Sequence, residues 1–305
     1  MVRPFRFAIQ ALALADRMDV VKAARQAEEL GYVQLFSYDH IGAGDPFVPL
    51  VIAAGAAPTL GVGPLVLNNE LHHPALLART AATVDRLTDG RLVLGLGTGY
   101  LQSEHDAIGS PIRPPGPRVR RFAESIQVLR ALLDTGAASY DGEFHQLALV
   151  DLGVRPTQEH VPFLIGGHGR QVVTIAGRHA DVFQFTGLTH GEDGAPAPGG
   201  FAIAAVEQRA HWLADAAGDR IDDIERSALV QVTHIGSGAD ARADELAARY
   251  GVDRSLIDDT PFVLVGSIEQ VVDKLERLRR DLGVSHLVVR DPVGFAPVVA
   301  AIAGR

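Results

Sequence analysis

Several apolar runs of the chain end in residues whose side chains can do chemistry. The first such segment places the carboxylate of Asp39 next to the imidazole of His40. A carboxylate and an imidazole side by side can bind a polar cofactor or transfer a proton. In the alternative interpretation, the two side chains only form hydrogen bonds within their own loop.

A run of glycines around His168 leads directly into a predicted helix and is the clearest physical signal of a binding site. Gly166, Gly167 and Gly169 leave the backbone free to turn its N–H groups toward one point. The N-terminus of the helix adds positive potential, to which His168 or Arg170 can contribute charge. The run therefore predicts a phosphate-binding loop. A tight strand–helix turn without a ligand is the alternative.

A second glycine cluster, at 95–99, includes Thr98 and is followed by Tyr100. Tyr100 stands where the third glycine of the dinucleotide-binding pattern G-x-G-x-x-G belongs, and the cluster lies in the middle of the chain. A Rossmann site is therefore not predicted. Glycines at a strand end still indicate close approach of the backbone, either to a ligand or to a neighbouring strand.

Metal and acyl-transfer chemistry find no support in the sequence. His72 and His73 are adjacent, and adjacent side chains of a strand or helix point apart. The chain has no His-x-His, His-Glu-x-x-His or Gly-x-Ser-x-Gly pattern and no cysteine, so we predict a site without a metal ion. Arg290 and Asp291 follow the last predicted strand, where pairing with each other is one interpretation.

The elements that must position these residues alternate between strands and helices along the whole chain. Strands are predicted at 5–9, 33–37, 62–67, 92–96, 163–165, 181–185, 228–234 and 286–289, and an extended lead-in at 262–265. Helices are predicted at 16–30, 47–57, 74–87, 119–133, 170–177, 201–217, 267–282 and 295–303.

Eight successive strand–helix units predict an α/β protein of one domain, residues 1–305, folded as a single (β/α)8 TIM barrel. Two insertions are expected in its C-terminal-face loops, a hairpin at 136–157 and a long loop at 190–200 that we interpret as a lid. Function in such barrels lies just after the C-terminal ends of the strands, where the motifs above fall.

Composition restricts the partners. A net charge of −9 lacks the basic footprint that a nucleic acid requires. The segment 46–69 has no charge, but Pro49, Pro58 and Pro64 interrupt it, so it is predicted to be buried structure rather than a membrane span. Without an apolar signal region or cysteines, a cytoplasmic location is expected.

Together, the segments 37–40, 64–74, 91–99, 162–167 and 176–181 resemble the luciferase-like superfamily of flavin and deazaflavin oxidoreductases, over essentially the whole chain. Their order and spacing are similar to the branch that uses the deazaflavin coenzyme F420, which includes F420-dependent glucose-6-phosphate dehydrogenases. The resemblance implies a ring bound at the C-terminal mouth of the barrel and a homodimer. It also implies a non-proline cis peptide bond behind the ring, which would join Pro64 and Leu65 here.

The resemblance implies roles for individual residues. His40 would be the catalytic residue, placed near the reactive face to stabilise charge as the hydride moves. Asp39 would meet the ring as well, and Thr98 would contact the ring or the ribityl chain. The full cofactor-binding set is Asp39, His40, Pro64, Leu65, Thr98, Gly99, Gly166, Gly167, His168 and Gly169.

Tyr100 marks a departure, because the sugar-phosphate dehydrogenases carry an acidic proton donor at that place. Their substrate-phosphate clamp has no identifiable counterpart here either, so a sugar phosphate is not predicted. The first hypothesis is an oxidoreductase that transfers a hydride between coenzyme F420 and a small-molecule organic substrate. The alternative is an FMN-dependent monooxygenase that uses reduced flavin and oxygen. A third is a barrel that binds cofactor without turnover.

Overall fold

Strands and helices alternate along the chain as predicted. The structure is a computed structural model that describes residues 3–12, 14, 16–190, 196–197 and 199–305. In chain order, the strands are β1 (Arg6–Gln10), β2 (Gln34–Ser37), β3 (Gly61–Pro64), β4 (Leu67–Asn68), β5 (Leu94–Gly97), β6 (Ala138–Asp141), β7 (Gln146–Leu149), β8 (Phe163–Gly166), β9 (Val182–Phe185), β10 (Thr189–His190), β11 (Pro196–Ala197), β12 (Glu225–Leu229), β13 (Val232–Ile235), β14 (Val263–Gly266) and β15 (Val284–Val289). The helices are α1 (Arg17–Glu29), α2 (Val48–Ala56), α3 (Pro74–Leu87), α4 (Gln102–Ala107), α5 (Pro115–Thr135), α6 (Arg170–His179), α7 (Ile203–Ala217), α8 (Ala239–Tyr250), α9 (Arg254–Asp259), α10 (Ile268–Leu282) and α11 (Pro292–Ile302).

Nine parallel strands form the barrel wall in the order β3-β2-β1-β15-β12-β9-β8-β5-β4. Because β3 and β4 are two parts of one interrupted strand, the nine strands occupy eight positions. The ring closes at Val62, which pairs with Leu35 of β2 on one side and bridges to Leu92, just before β5, on the other. The predicted (β/α)8 barrel is confirmed, and its C-terminal end is called the mouth below.

Two apolar cores hold the barrel together, because successive side chains of a strand point to opposite faces. In β1, Phe7 and Ile9 belong to the core between strands and helices, whereas Ala8 belongs to a second cluster. Phe36, Val93, Leu164, Val182 and Val288 join Ala8 in that second cluster, which fills the inside of the barrel. A packed interior leaves the mouth as the place for function.

One predicted strand is two strands in the structure. The prediction at 228–234 joined β12, which is part of the barrel wall, to β13, which leaves the wall and pairs in parallel with β14. The last bond to the wall runs from the Val230 N–H to the Val288 carbonyl, at 2.9 Å. Strand-forming residues continue on both sides of Gln231, so the pattern gave no sign of the break. Helices α4, α8 and α9 were also not predicted.

The cis peptide bond lies one residue later than the resemblance implied. It joins Leu65 and Val66 rather than Pro64 and Leu65. Pro64 still pairs with Ser37 as the last residue of β3, and the Leu65 N–H donates to the Ser37 carbonyl at 2.9 Å. The strand is therefore regular up to the Leu65 amide, and its interruption begins only after it.

Of the two predicted insertions, the hairpin is confirmed, but it connects α5 to β8 and so does not belong to the strand-to-helix loops of the C-terminal face. Its strands β6 and β7 are antiparallel and pair Tyr140 with Leu147. The lid predicted at 190–200 falls largely on residues 191–195 and 198, which lie outside the described residues. None of the helices described is both long and apolar enough to cross a membrane.

Candidate cofactor site

The loops after β2 and β4 are tied together at the mouth by Asp39. Its Oδ2 accepts hydrogen bonds from the Asn68 backbone N–H and from Nε2 of His72, both at 2.9 Å. The Asp39 side chain is buried. A carboxylate with two donors on one oxygen is well fixed, so this predicted ring contact also holds the two loops in register.

His40 pairs with a residue that the sequence analysis did not single out. Its Nδ1 lies 2.6 Å from Oε1 of Glu104, a buried residue in the first turn of α4. An ionised carboxylate can only accept, so Nδ1 carries the proton and Nε2 is left to exchange one with a ligand. The rings of Tyr38 and Tyr100 flank His40, with centroids 5.8 and 6.0 Å away. Helix α4 has only six residues, too few for a helical period to reveal Glu104.

The glycines at 95–99 serve a close approach between neighbouring strands. A Cβ on Gly95 would lie 2.0 Å from the Pro64 carbonyl oxygen. Gly99 has a φ of +78°, and a Cβ there would lie 2.0 Å from Oδ1 of Asn68. Of the two interpretations of this cluster, approach to a strand is therefore correct for these glycines. Thr98, which lies between these two glycines, already carries a Cβ and is half-buried, so close approach to a strand does not restrict it in this way.

Arg290 does not pair with Asp291. Its Nε and Nη1 donate to the side-chain oxygens of Gln10 and Gln231, each at 2.9 Å, while Asp291 caps α11. The Gln10 amide in turn donates to the Leu65 carbonyl at 2.8 Å, next to the cis bond. This chain of bonds connects the end of β15 with the interrupted strand across the inside of the mouth.

Tyr100 shares the mouth with charged groups of both signs. Its pKa is raised, first by burial and then by the negative charge of Glu104, while the positive charge of Arg290 acts in the opposite direction. The phenol of Tyr100 is therefore influenced by the charges of both Glu104 and Arg290.

The predicted phosphate loop lies at the N-terminus of α6, directly after β8. Gly169 is the N-cap residue and has no side chain with which to cap the helix, and none of the described side chains forms a cap hydrogen bond there. A Cβ on Gly169 would meet nothing within 4 Å, whereas a Cβ on Gly167 would lie 2.6 Å from Cγ1 of Val172. The loop is thus open on the Gly169 side and presents uncapped backbone N–H groups. These features suit a phosphate.

The His168 ring is held within the protein. Its Nε2 lies 2.7 Å from the Leu188 carbonyl and 2.8 Å from Oγ1 of Thr186, and its Nδ1 lies 3.0 Å from Nη1 of Arg209. The contribution that His168 can make to a phosphate is therefore its backbone N–H. Arg209, on α7, was not singled out from the sequence.

The predicted residues thus fall into two groups at the same end of the barrel. The C-terminal ends of β2, β3 and β5 and the segments that follow them carry Asp39, His40, Pro64, Leu65, Thr98 and Gly99. The last residue of β8 and the loop after it supply Gly166, Gly167, His168 and Gly169. The two groups are neighbours, since β5 pairs with β8. Within the described ranges, no three potential metal ligands gather at one point.

A cavity of about 530 Å³ lies at the opposite end of the barrel, where the strands begin. Its lining includes Arg6 and Glu225, which pair with each other at 2.9 Å, and Gln34. The lining is charged and two of its acidic residues, Glu225 and Asp181, are already paired, whereas function in such barrels belongs to the other end. We therefore assign the site to the mouth.

Comparison with known proteins agrees with this architecture. The model of the luciferase-like monooxygenase family matches residues 2–252. The 5,10-methylenetetrahydromethanopterin reductase of Methanopyrus kandleri is 24% identical over 94% of this chain and 93% of its own. The F420-dependent glucose-6-phosphate dehydrogenase of Nakamurella multipartita is 26% identical over 95% of this chain and 91% of its own. The reductase of Archaeoglobus fulgidus is 30% identical over 155 residues, and the chain spans only 45% of that relative.

Two solved structures show the same fold at low sequence identity. The coenzyme F420-dependent tetrahydromethanopterin reductase of M. kandleri has a TM-score of 0.77 and 21% identity, with 98% of both chains covered. The oxygenating constituent of 3,6-diketocamphane monooxygenase from Pseudomonas putida, in complex with FMN, has a TM-score of 0.71 and 16% identity, with 99% of this chain and 98% of that chain covered. With the family match extending over 2–252 of 305 residues, the chain belongs to the luciferase-like monooxygenase family.

Proposed function

We propose that the chain is an oxidoreductase that transfers a hydride between coenzyme F420 and a small organic substrate. The observation that carries the proposal is that an uncapped glycine loop and a carboxylate-held imidazole lie at the same end of one barrel. Two relatives named above as F420-dependent, one aligned over 95% of this chain by sequence and one over 98% by structure, support F420 as the cofactor.

The residues at the mouth fit this cofactor in two parts. The N–H groups of Gly167, His168 and Gly169 would hold the phosphate at the N-terminus of α6. The ring would be lined by the loops that carry Asp39 and Thr98, and backed by the 64–65 segment. When bound, the deazaflavin ring supplies the carbon that gives or accepts the hydride.

His40 is proposed to handle the proton that accompanies the hydride. Glu104 fixes the Nδ1 proton, so Nε2 can donate a proton to a substrate oxygen or nitrogen, or withdraw one in the reverse direction. Because 37% of the His40 side chain is exposed, a substrate can reach it. The flanking rings of Tyr38 and Tyr100 would limit the access of water to this atom.

The substrate is proposed to be a small organic molecule other than a sugar phosphate. Tyr100 replaces the acidic donor of the sugar-phosphate dehydrogenases. From the same family resemblance we infer a homodimer, which light scattering during gel filtration would test through a mass near twice the 32.4 kDa of the chain.

FMN is the second candidate cofactor, in a monooxygenase that uses reduced flavin and oxygen. The phosphate loop suits either cofactor, and a more distant structural neighbour contains FMN. The described side chains of the mouth suit either ring, and the relatives named as F420-dependent favour F420.

Fluorescence titration of the purified protein with F420 and, separately, with FMN tests the proposal. Saturable binding of F420 at least about tenfold tighter than FMN, which corresponds to ~1.4 kcal/mol, is expected. A preference for FMN would favour the monooxygenase. Binding of F420 with no hydride transfer to any of a panel of carbonyl, imine and alkene acceptors would favour a cofactor-binding protein without turnover.

A further inference from the structure

The guanidinium of Arg209 lies buried behind the phosphate loop. Its side chain is held by neutral acceptors: Nη1 donates to the Thr186 carbonyl at 2.7 Å and to Nδ1 of His168 at 3.0 Å. Nη2 donates to the Gly200 carbonyl at 2.7 Å and Nε to the Ala205 carbonyl at 3.0 Å. Only 3% of the residue is exposed.

The positive charge of Arg209 has no ion-pair partner among the described residues. Its surroundings are apolar, with the rings of Phe185 and Phe262 centred 6.0 and 5.9 Å from the guanidinium carbon. Burial alone lowers the pKa of Arg209 to about 10, so the cation still persists at neutral pH. By contrast Arg121, which is 7% exposed, pairs with the carboxylate of Glu70. Buried charges are normally paired in this second way.

Arg209 is connected to the phosphate loop through His168. An arginine can only donate, so Nδ1 of His168 accepts and the ring proton lies on Nε2, which donates to Leu188 or Thr186. His168 directly precedes Gly169, the N-cap of α6. The Arg209 charge and the positive end of α6 thus act at the same place with the same sign. Because they have the same sign, the two positive potentials repel each other when the site is empty, and both attract an anion.

We propose that the phosphate of the bound cofactor is the counter-ion of Arg209, which makes this buried residue the main determinant of the phosphate-dependent part of cofactor affinity. The inference rests on the proposed function for the position of the phosphate, but it holds for F420 and for FMN alike. It assigns to Arg209 a long-range electrostatic role that requires no contact with the cofactor.

The test compares cofactors with and without their phosphate. Dissociation constants are measured by fluorescence for F420 against its ribityl-deazaflavin fragment, and for FMN against riboflavin, with wild type, Arg209→Gln and Arg209→Lys. In whichever pair binds, Arg209→Gln should weaken binding of the phosphate-bearing cofactor by about 10- to 100-fold. It should weaken binding of the phosphate-free partner by less than about threefold. Burial lowers the pKa of a lysine, as it does for Lys274, to about 7, so Arg209→Lys is compared with wild type at about pH 6. There it keeps the charge and should stay within about fivefold of wild type for both.

Arg220→Met is the matched control. Arg220 also donates to two carbonyls, those of Gly177 and Ala180, at 2.7 and 2.9 Å, but at the C-terminal end of α6. Arg220→Met should leave the dissociation constants of both members of each pair unchanged. If Arg209→Gln does not fold, Arg209→Lys alone decides, because loss of the phosphate preference in a folded, charged variant overturns the proposal.

Two further outcomes also overturn it. Equal weakening of both members of a pair in Arg209→Gln would mean that Arg209 only supports the loop structure. If the double variant Glu192→Gln/Asp193→Asn removes the effect of Arg209→Gln on phosphate-dependent affinity, these carboxylates, and not the phosphate, would be the counter-ion of Arg209. A different result is expected if the proposed function itself is wrong. Either neither F420 nor FMN would bind wild type, or FMN would bind more tightly than F420 while the phosphate effect of Arg209 persists.

Discussion

Nδ1 of His40 lies 2.6 Å from Oε1 of Glu104, a carboxylate that is itself buried. The pair joins the loop after β2 to the short helix after β5, so the imidazole cannot turn without breaking a charge-assisted bond. This arrangement fixes the ring in one orientation, as the proposed proton exchange at Nε2 requires.

Glu104→Ala should lower the turnover number by about 10- to 100-fold, because His40 loses its fixed orientation and its Nδ1 acceptor. The affinity for cofactor should change by less than about threefold, since the phosphate loop is untouched. Steady-state kinetics and a cofactor titration on the same preparation separate these effects. Glu104→Gln keeps an oxygen acceptor and should lose less than the alanine variant. Equal turnover numbers of wild type and Glu104→Ala would contradict the role of Glu104 in orienting His40.

Gly169→Asp should change stability and binding in opposite directions. An aspartate at this N-cap position can accept from the exposed N–H groups of α6, its charge suits the positive end of the helix, and its Cβ has space, so stability should rise by about 0.3–1 kcal/mol. The same carboxylate occupies and repels the place of the phosphate, so cofactor affinity should fall at least about tenfold. Urea unfolding and cofactor titration measure the two. Gly169→Ala is the control for the lost glycine, and unchanged binding in Gly169→Asp would place the phosphate elsewhere.

Gly99→Ala should destabilise the protein more than Gly109→Ala. Both glycines have positive φ, +78° and +67°, but a Cβ on Gly99 would lie 2.0 Å from Oδ1 of Asn68 while one on Gly109 would meet nothing within 4 Å. Backbone strain alone should cost about 1–2 kcal/mol in each variant. The clash should add about 1–3 kcal/mol to Gly99→Ala. Urea unfolding compares the two, and equal losses would contradict the close approach of β5 to β4.

His286 should make the barrel less stable in mild acid. Burial lowers the pKa of His286 to about 4, whereas a histidine of the unfolded chain titrates near ~6.5. Between these pH values the unfolded chain binds a proton that the folded chain does not. The free energy of unfolding should therefore fall as the pH drops from about 6.5 toward 4, by an amount of order 1–3 kcal/mol from this residue.

His286→Leu should flatten this dependence relative to wild type in urea unfolding at pH 7 and pH 4.5. His211→Asn changes an exposed histidine and should leave the slope as it is. His145, whose pKa is also lowered to about 4, mainly by burial, contributes a similar slope that persists in the His286 variant. Parallel pH profiles for His286→Leu and wild type would contradict the assignment.

The regular parts of the fold are readable from the chain because their signals are local. Pro74 starts α3 where its missing N–H costs nothing, and Ser267 and Gln270 form a capping box at the start of α10. The strand break after Leu229 is not local, since β13 leaves the barrel only because β14, some thirty residues later, pairs with it. Periodicity carries no information about such a partner.

The residues of the site also divide into those with a local signal in the sequence and those that only tertiary packing brings together. His40 and the phosphate loop follow strand ends, and this position in a barrel is what singles them out in the sequence. Arg209 is 41 residues from His168 along the chain and lies in the middle of an ordinary helix, where an arginine is usually exposed. Its burial and its connection to the loop arise from tertiary packing, so only the folded structure brings it to the site.

A crystal structure of the protein with F420 would show where the cofactor binds. We expect the phosphate within hydrogen-bond distance of the backbone N–H groups of 167–169 and the deazaflavin ring between Leu65 and His40. A cofactor bound in the cavity at the opposite end of the barrel, beside Arg6 and Gln34, would contradict it.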